Sequence, residues 1–129
     1  MLFSVNTTNR NAPRWLIVDD HAAMRQMIRQ LLAVGDPAAR ECANGTDAVR
    51  LAAEFRPDAV TLDVRMPGLG AFDTARAIRA ALPAVQIIIV TSYDQPDYRA
   101  AAREVGAEFI SKDDLAALPR LAAKFFPVN

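Results

Sequence analysis

The sequence is poor in residues that cross-link chains or bind soft metals. Its 129 residues include one cysteine, Cys42, and one histidine, His21. An intramolecular disulfide is therefore excluded, and these two side chains alone cannot assemble a zinc site. A single thiol suits a reducing compartment, so we expect a cytoplasmic protein in which Cys42 is a small buried side chain.

The sequence also has no excess of charge and no long apolar run. Fifteen basic residues balance fifteen acidic ones, which leaves no basic field of the kind that attracts nucleic acid. The longest apolar run, residues 85–90, is too short to cross a bilayer and is interrupted by Gln86. We therefore expect neither direct binding to nucleic acid nor insertion into a membrane.

The domain organisation is expected to be simple. Residues 1–12 lack the cationic start and apolar stretch of a secretory signal, and we predict that they form a flexible N-terminal extension. Residues 13–129 are of ordinary size for one domain, and enough of them are hydrophobic for a sizeable core. The last helical pattern uses the residues after Lys112, so no second domain is expected.

Five strand patterns alternate with five helical patterns. The strand segments are 15–18, 40–43, 59–62, 85–90 and 107–110. The strongest of them are rich in β-branched residues and apolar on both faces, as strands covered on two sides must be. The helices repeat apolar residues at spacings of three and four, as in Met24, Met27, Ile28 and Leu31. The alternation predicts an α/β fold with a five-stranded parallel sheet and helices on both faces.

Polar residues follow these strands at the edge where open parallel sheets bind ligands. Asp19 and Asp20 follow the first strand, and Asp63 follows the third. Thr91 follows the fourth strand, and Lys112 lies just after the fifth. Each close pair of carboxylates costs on the order of 4 kcal/mol at an effective dielectric of ~20. A divalent cation with oxygen ligands relieves this repulsion, which favours Mg²⁺.

A carboxylate beside Mg²⁺ can accept a phosphoryl group. We expect Asp63 to be the acceptor, with Lys112 and Thr91 holding the phosphoryl oxygens. The product is an aspartyl phosphate, which is a known form of covalent carboxylate chemistry.

These residues resemble the receiver domains of bacterial two-component response regulators. The similarity spans residues 14–126 and rests on four motifs in the family's order. The motifs are LIVDDH at 16–21, LDVRMPG at 62–68, IVTS at 89–92 and GAEFISK at 106–112. The resemblance implies a single doubly wound sheet with five helices, of the flavodoxin-like receiver type. It also implies a phosphoacceptor signalling domain that is not an enzyme, although it assists its own phosphorylation and dephosphorylation.

The resemblance implies roles for the metal-binding residues. Asp63 is the phosphorylated residue and a metal ligand. Asp20 binds the metal directly, and Asp19 is an acidic partner that often acts through water. The backbone carbonyl of Arg65 completes the protein ligands. Mg²⁺ is the expected cofactor, with Mn²⁺ as an alternative.

The resemblance also implies which residues switch the conformation and which tune the lifetime of the phosphoryl group. Thr91 and Phe109 are the expected switch residues, because Phe109 turns inward when Thr91 is drawn towards the phosphoryl group. Arg65 and Tyr93 lie two positions after the acceptor and two after the threonine, where the family tunes the lifetime of the phosphoryl group. Both side chains are bulky, so we expect slow self-dephosphorylation.

The implied partners are a phosphoryl donor and an output. The donor is a sensor histidine kinase or a phosphotransfer protein, and the output is a protein or domain not yet identified. The fourth helix, fifth strand and fifth helix form the expected face for readout and homodimerisation. The run 111–114 is typical of regulators that carry a helix-turn-helix output domain, although Asp113 replaces the family's frequent proline. The chain is either a stand-alone receiver or part of a longer regulator.

Three alternative functions have less support in the sequence. A degenerate receiver would bind partners without being phosphorylated. A flavin-binding protein of similar fold would need a hydroxyl- and glycine-rich loop where Asp19 and Asp20 stand. A hydrolase would need a further carboxylate to activate water, and none is identified.

His21 is interpreted as a helix-start residue, and Arg25 and Arg29 as part of a solvated helix face.

Overall fold

The computed structural model describes residues 12–127, which form five β-strands and five α-helices in alternation. The strands are β1 Trp15–Val18, β2 Ala39–Cys42, β3 Ala59–Leu62, β4 Gln86–Thr91 and β5 Glu108–Ser111. The helices are α1 Ala22–Leu32, α2 Gly45–Phe55, α3 Ala71–Ala81, α4 Pro96–Glu104 and α5 Ala117–Phe125. The predicted extension, apart from Ala12, lies outside the described residues.

The strands form one parallel sheet in the order β2-β1-β3-β4-β5. β1 pairs with both β2 and β3, and its residue Val18 lies opposite Leu62 of β3. Successive connections therefore leave β1 on both sides, so helices cover both faces of the sheet and a crevice forms where β1 and β3 end. The predicted α/β fold is confirmed.

Each strand sends alternate side chains into two apolar layers. On one face, Leu16, Val60 and Ile89 pack against α2, α3 and α4. On the other face, Ile17 and Ile88 pack against α1 and α5. Burying each of these side chains contributes about 1.5–3 kcal/mol, so the sheet is a stiff support for the loops at its edges.

The first turn of α2 lies unusually close to the start of α3. Asn44 caps α2, because its side-chain oxygen accepts a hydrogen bond of 2.8 Å from the backbone N–H of Asp47. A Cβ atom on Gly45 would lie 2.2 Å from the carbonyl oxygen of Leu69 and 2.3 Å from Oγ1 of Thr74. Only a glycine therefore fits at this contact, which holds the loop after β3 against α2.

Some local predictions are wrong in detail. Met27 is 46% exposed rather than on the inner face of α1. Cys42 is only half-buried. Burial raises the pKa of its thiol to about 11, so the thiol stays protonated near neutral pH.

The last helix contains a proline close to its start. Because α5 starts at Ala117, Pro119 falls in its first turn, where a missing backbone N–H costs nothing. Among residues 12–127, every helix is too short or too polar to span a bilayer.

Candidate functional site

The carboxyl ends of the central strands bring the acidic residues together. Asp19 follows β1 and Asp63 follows β3, and the backbone N–H of Asp63 donates to the carbonyl of Val18 over 3.1 Å. Asp19 is 1% exposed and Asp63 is 5% exposed. The parallel register therefore places two buried carboxylates side by side, as the sequence predicts. Asp20, the next residue, keeps 34% of its side chain exposed at the mouth of the site.

Lys112 places the single ammonium group of the site against both buried carboxylates. Its Nζ atom lies 2.8 Å from Oδ2 of Asp19 and 3.5 Å from Oδ2 of Asp63. Apart from this ion pair, Oδ2 of Asp19 has no hydrogen-bond partner among the residues that the structure describes. Burial alone would lower the pKa of Lys112, but the two carboxylates outweigh it and raise that pKa. Lys112 is therefore charged at neutral pH.

The environment of Asp63 disfavours its charged form. Burial is the largest influence and raises the pKa of this carboxyl, and the neighbouring Asp19 raises it further. Lys112, the backbone N–H of Val64 and the hydroxyl of Thr91 act in the opposite direction without cancelling the rise. The Val64 N–H donates to Oδ1 of Asp63 over 2.9 Å. A cation beside Asp63 would favour the charged carboxylate that a phosphoryl transfer requires.

An arginine network lies beside the acidic residues, and no pattern in the sequence predicts it. Arg25 donates to the backbone carbonyl of Asp19 over 2.7 Å and to Oε1 of Glu41 over 2.8 Å. Arg29 also pairs with Glu41. Burial alone would raise the pKa of Glu41, but both arginines outweigh it and lower that pKa. The interpretation of Arg25 and Arg29 as a solvated face is thus wrong, because both bind an acidic residue of β2.

The loops after β3 and β4 meet above the site. Thr91 is fully buried at the end of β4, and its Oγ1 accepts a hydrogen bond of 3.2 Å from the backbone N–H of Tyr93. The guanidinium of Arg65 lies 3.9 Å from the centre of the Tyr93 ring, which is a close cation–π contact. Arg65 and Tyr93 therefore stack on each other at the surface, beside the mouth of the site.

Phe109 lies on β5, outside the acidic cluster. It is half-buried and packs against the apolar layer under α4. The guanidinium of Arg99 lies 4.5 Å from the centre of its ring. Arg99 also holds Asp94 through two hydrogen bonds of 2.6 Å and 3.0 Å. Phe109 is thus connected, through Arg99 and Asp94, to the loop that follows Thr91.

The donor atoms of the site fit a hard divalent cation. One ligand atom from each of Asp19, Asp20, His21 and Asp63 lies within 4.8 Å of the others. Three carboxylates and one ammonium group leave an excess of two negative charges, which a divalent cation balances. Carboxylate oxygens at an open, hydrated mouth are the ligands that Mg²⁺ prefers.

Fold and site together define a doubly wound α/β domain with a buried acidic pocket and a lysine at the carboxyl edge of its sheet. The family model of the response regulator receiver domain matches residues 15–122. Response regulator MprA of Mycobacterium sp. (strain KMS) is 35% identical over 95 residues, which cover 74% of this chain and 41% of that protein. The chain therefore spans less than half the length of this relative.

Solved structures agree with the family match. A two-component response regulator of the LuxR family from Aurantimonas sp. SI85-9A1 has a TM-score of 0.77 and 32% identity, over 88% of this chain and 85% of that chain. The chemotaxis response regulator CheY4 of Vibrio cholerae has a TM-score of 0.76 and 25% identity, over 88% of this chain and 98% of that chain.

The chain belongs to the response regulator receiver domain family. Receiver domains of this family are phosphoacceptor domains of two-component signal transduction. The family binds Mg²⁺ at its acidic pocket, and its members interact with histidine kinases and output domains.

Proposed function

We propose that Asp63 accepts a phosphoryl group from a phosphohistidine of a sensor kinase or phosphotransfer protein. The observation that carries the proposal is the convergence of Asp19, Asp63 and Lys112, with two buried carboxylates sharing one ammonium group. We propose that the carboxylates of Asp19, Asp20 and Asp63 and the backbone carbonyl of Arg65 hold Mg²⁺, or Mn²⁺ in its place. Bound there, the cation neutralises charge on the phosphoryl oxygens.

The proposed transfer uses few protein groups. A carboxylate oxygen of Asp63 forms a bond to phosphorus while the bond from phosphorus to the donor nitrogen breaks, and the electron pair of that bond stays on the nitrogen. Lys112, 3.5 Å from Oδ2 of Asp63, binds a phosphoryl oxygen as an ammonium group, and the hydroxyl of Thr91 donates to another. The same groups assist hydrolysis of the aspartyl phosphate by water.

Thr91 and Phe109 form the proposed switch. When the hydroxyl of Thr91 turns to the phosphoryl group, its present hydrogen bond with the backbone N–H of Tyr93 is lost. The loop that follows then shifts, together with Asp94 and the Arg99 side chain that covers Phe109. Phosphorylation thereby favours one of two pre-existing states and changes the face formed by α4, β5 and α5.

The output and the location are also proposals. The changed face would bind an output protein or domain, or a second copy of the chain. One solved neighbour, from Staphylococcus aureus, is described as a DNA-binding response regulator of the LuxR family. We propose that this chain does not itself bind DNA and that it acts in the cytoplasm. Residues 13–129 form the proposed receiver domain, with residues 1–12 as a flexible extension.

Arg65 and Tyr93 are proposed to prolong the phosphorylated state. Their stacked side chains limit the approach of water to the phosphoryl group. A Tyr93→Ala variant should lose its phosphoryl group several-fold faster than the wild type, measured by intact mass over time. Tyr98→Ala, which changes an aromatic residue of α4 that contacts Phe72, is the matched control. Equal rates in the wild type and Tyr93→Ala would contradict this role.

The acceptor is tested by intact mass after incubation with a small-molecule phosphodonor, with and without Mg²⁺. We expect a gain of one phosphoryl group that requires the cation and is absent from Asp63→Asn. Asp97→Asn, which changes an exposed aspartate of α4, should react as the wild type does. A gain that persists in Asp63→Asn would refute the assignment. Failure with this donor and with a phosphorylated histidine protein would favour the phosphorylation-independent binding module.

A further inference from the structure

His21 lies in the acidic pocket rather than merely at the start of α1. Its Nδ1 atom is 3.0 Å from Oδ1 of Asp20 and 3.3 Å from Oδ1 of Asp19. The backbone N–H of His21 donates to the same oxygen of Asp19 over 2.9 Å, which holds the residue against the pocket. The imidazole is 72% exposed, so its outer edge is open to solvent while Nδ1 faces the carboxylates.

These separations suit neighbouring ligands of one cation. Two adjacent ligand atoms of an octahedral ion with bonds of about 2.1 Å lie ~3 Å apart. The spacings from Nδ1 to the two carboxylate oxygens are of this size. The alternative explanation is an imidazole N–H that only donates a hydrogen bond to the carboxylates. In that case the ring would take no part in binding a cation.

We infer that His21 is a cation ligand of this pocket and biases it towards metal ions that favour imidazole, such as Ni²⁺, over Mg²⁺. The inference rests on the proposed cation site, to which it adds a nitrogen donor. Imidazole is a good ligand for transition metals, whereas Mg²⁺ prefers oxygen. A neutral ring also adds a donor atom without adding charge to a pocket whose excess charge a divalent ion already balances.

The composition of the chain makes the inference directly testable. His21 is the single histidine of the 129 residues, so an imidazole nitrogen bound to a metal can come only from this side chain. Pulsed electron paramagnetic resonance of Mn²⁺-loaded protein, prepared without a histidine tag, detects such a nitrogen by its coupling to the metal. We expect this coupling in the wild type and its loss in His21→Asn.

Calorimetric titrations provide a second measurement. In His21→Asn, Ni²⁺ affinity should fall by roughly tenfold or more, while Mg²⁺ affinity changes by less than about twofold. Asp20→Asn is the matched control, because loss of a carboxylate should weaken binding of both ions. Binding of Mn²⁺ without nitrogen coupling, or equal Ni²⁺ affinity in both proteins, would overturn the inference and leave the cation site intact. If the wild type binds no Mn²⁺ at all, both the inference about His21 and the proposed cation site are overturned.

Discussion

The amino ends of the parallel strands form one edge of the sheet and their carboxyl ends form the other. These two edges differ in how they hold charged groups. At the amino edge, the backbone N–H of Arg14 donates to Asp58 over 2.8 Å. The guanidinium groups of Arg14 and Arg40 lie 4.8 Å and 5.1 Å from the centre of the Phe55 ring. At the carboxyl edge, two carboxylates are buried beside one ammonium group. The amino edge pairs its charged and polar groups, whereas the carboxyl edge keeps an excess of negative charge.

The two edges are expected to contribute differently to the stability of the fold and to the binding of a cation. Stability is expected to come from the apolar layers and from contacts such as those around Phe55. The acidic edge is expected to cost stability until a cation binds, because like charges in a partly buried site repel. A variant at the amino edge should therefore change stability without changing the affinity for a cation.

The largest effect is expected from Phe55→Ala at the amino edge. Removing this ring, which is 8% exposed, should lower the free energy of unfolding by about 3 kcal/mol, because it leaves a cavity and removes the surface under two guanidinium groups. Urea denaturation measures the loss, and Mg²⁺ titration should show unchanged affinity. Phe55→Leu, which removes less of the side chain, should lower the free energy of unfolding by less. A fall in Mg²⁺ affinity would show that the edges are not independent.

A somewhat smaller loss is expected from Lys112→Met at the carboxyl edge. Without the ammonium group the two buried carboxylates repel unopposed, which should lower the free energy of unfolding of the metal-free protein by about 2 kcal/mol. Saturating Mg²⁺ should restore part of this loss. Lys124→Met changes an exposed lysine of α5 and should unfold as the wild type does. An Mg²⁺-independent loss in Lys112→Met would contradict the electrostatic explanation.

The pH dependence of stability should also report on the carboxyl edge. Burial raises the pKa of Asp63 above its ordinary value of 3.8. Its contribution to the stability of the metal-free fold is therefore complete below that value and is lost as the pH rises through the folded-state pKa. Compared with Asp63→Asn, the wild type should lose stability over this window. The difference in free energy of unfolding, measured in chelator from about pH 4 to pH 7, checks this. If the difference in free energy of unfolding between the two proteins does not change with pH, the pKa of Asp63 is not raised.

The smallest effect is expected from Asp58→Ala at the amino edge. This variant removes the exposed acceptor of the Arg14 N–H, so the free energy of unfolding should fall by only about 0.5 kcal/mol. Thermal unfolding followed by circular dichroism is sensitive enough to detect it. A loss as large as that of Phe55→Ala would mean that this edge depends on its hydrogen bonds rather than on its apolar packing.

The sequence predicts the positions of the strands along the chain and the meeting of the acidic residues well, because both follow from short-range patterns. β1 and β3 have the predicted bounds, and the other three strands are each shifted by one residue. In a parallel sheet, residues that follow neighbouring strands must meet at one edge. The approach of Asp19, Asp63 and Lys112 is therefore predictable without any knowledge of side-chain packing.

Contacts between side chains distant in sequence were not predictable. The pairing of Arg25 and Arg29 with Glu41 joins α1 to a strand that the sequence marks only weakly. The stacking of Arg99 on Phe109 joins a helix to the strand after it. Helical periodicity places an arginine on a face but does not tell which acidic or aromatic side chain it contacts. Rotamers and tertiary packing decide that.

Gly45 has a consequence for how this sequence can vary. The hydrogen atom on its α-carbon stands where even a methyl group would collide with the carbonyl of Leu69 and the hydroxyl of Thr74. Position 45 is thus closed to every other amino acid unless the helices α2 and α3 move apart. That movement would displace the loop that follows Asp63. A substitution at this one residue would therefore have to be accompanied by rearrangement of the loop beside Asp63.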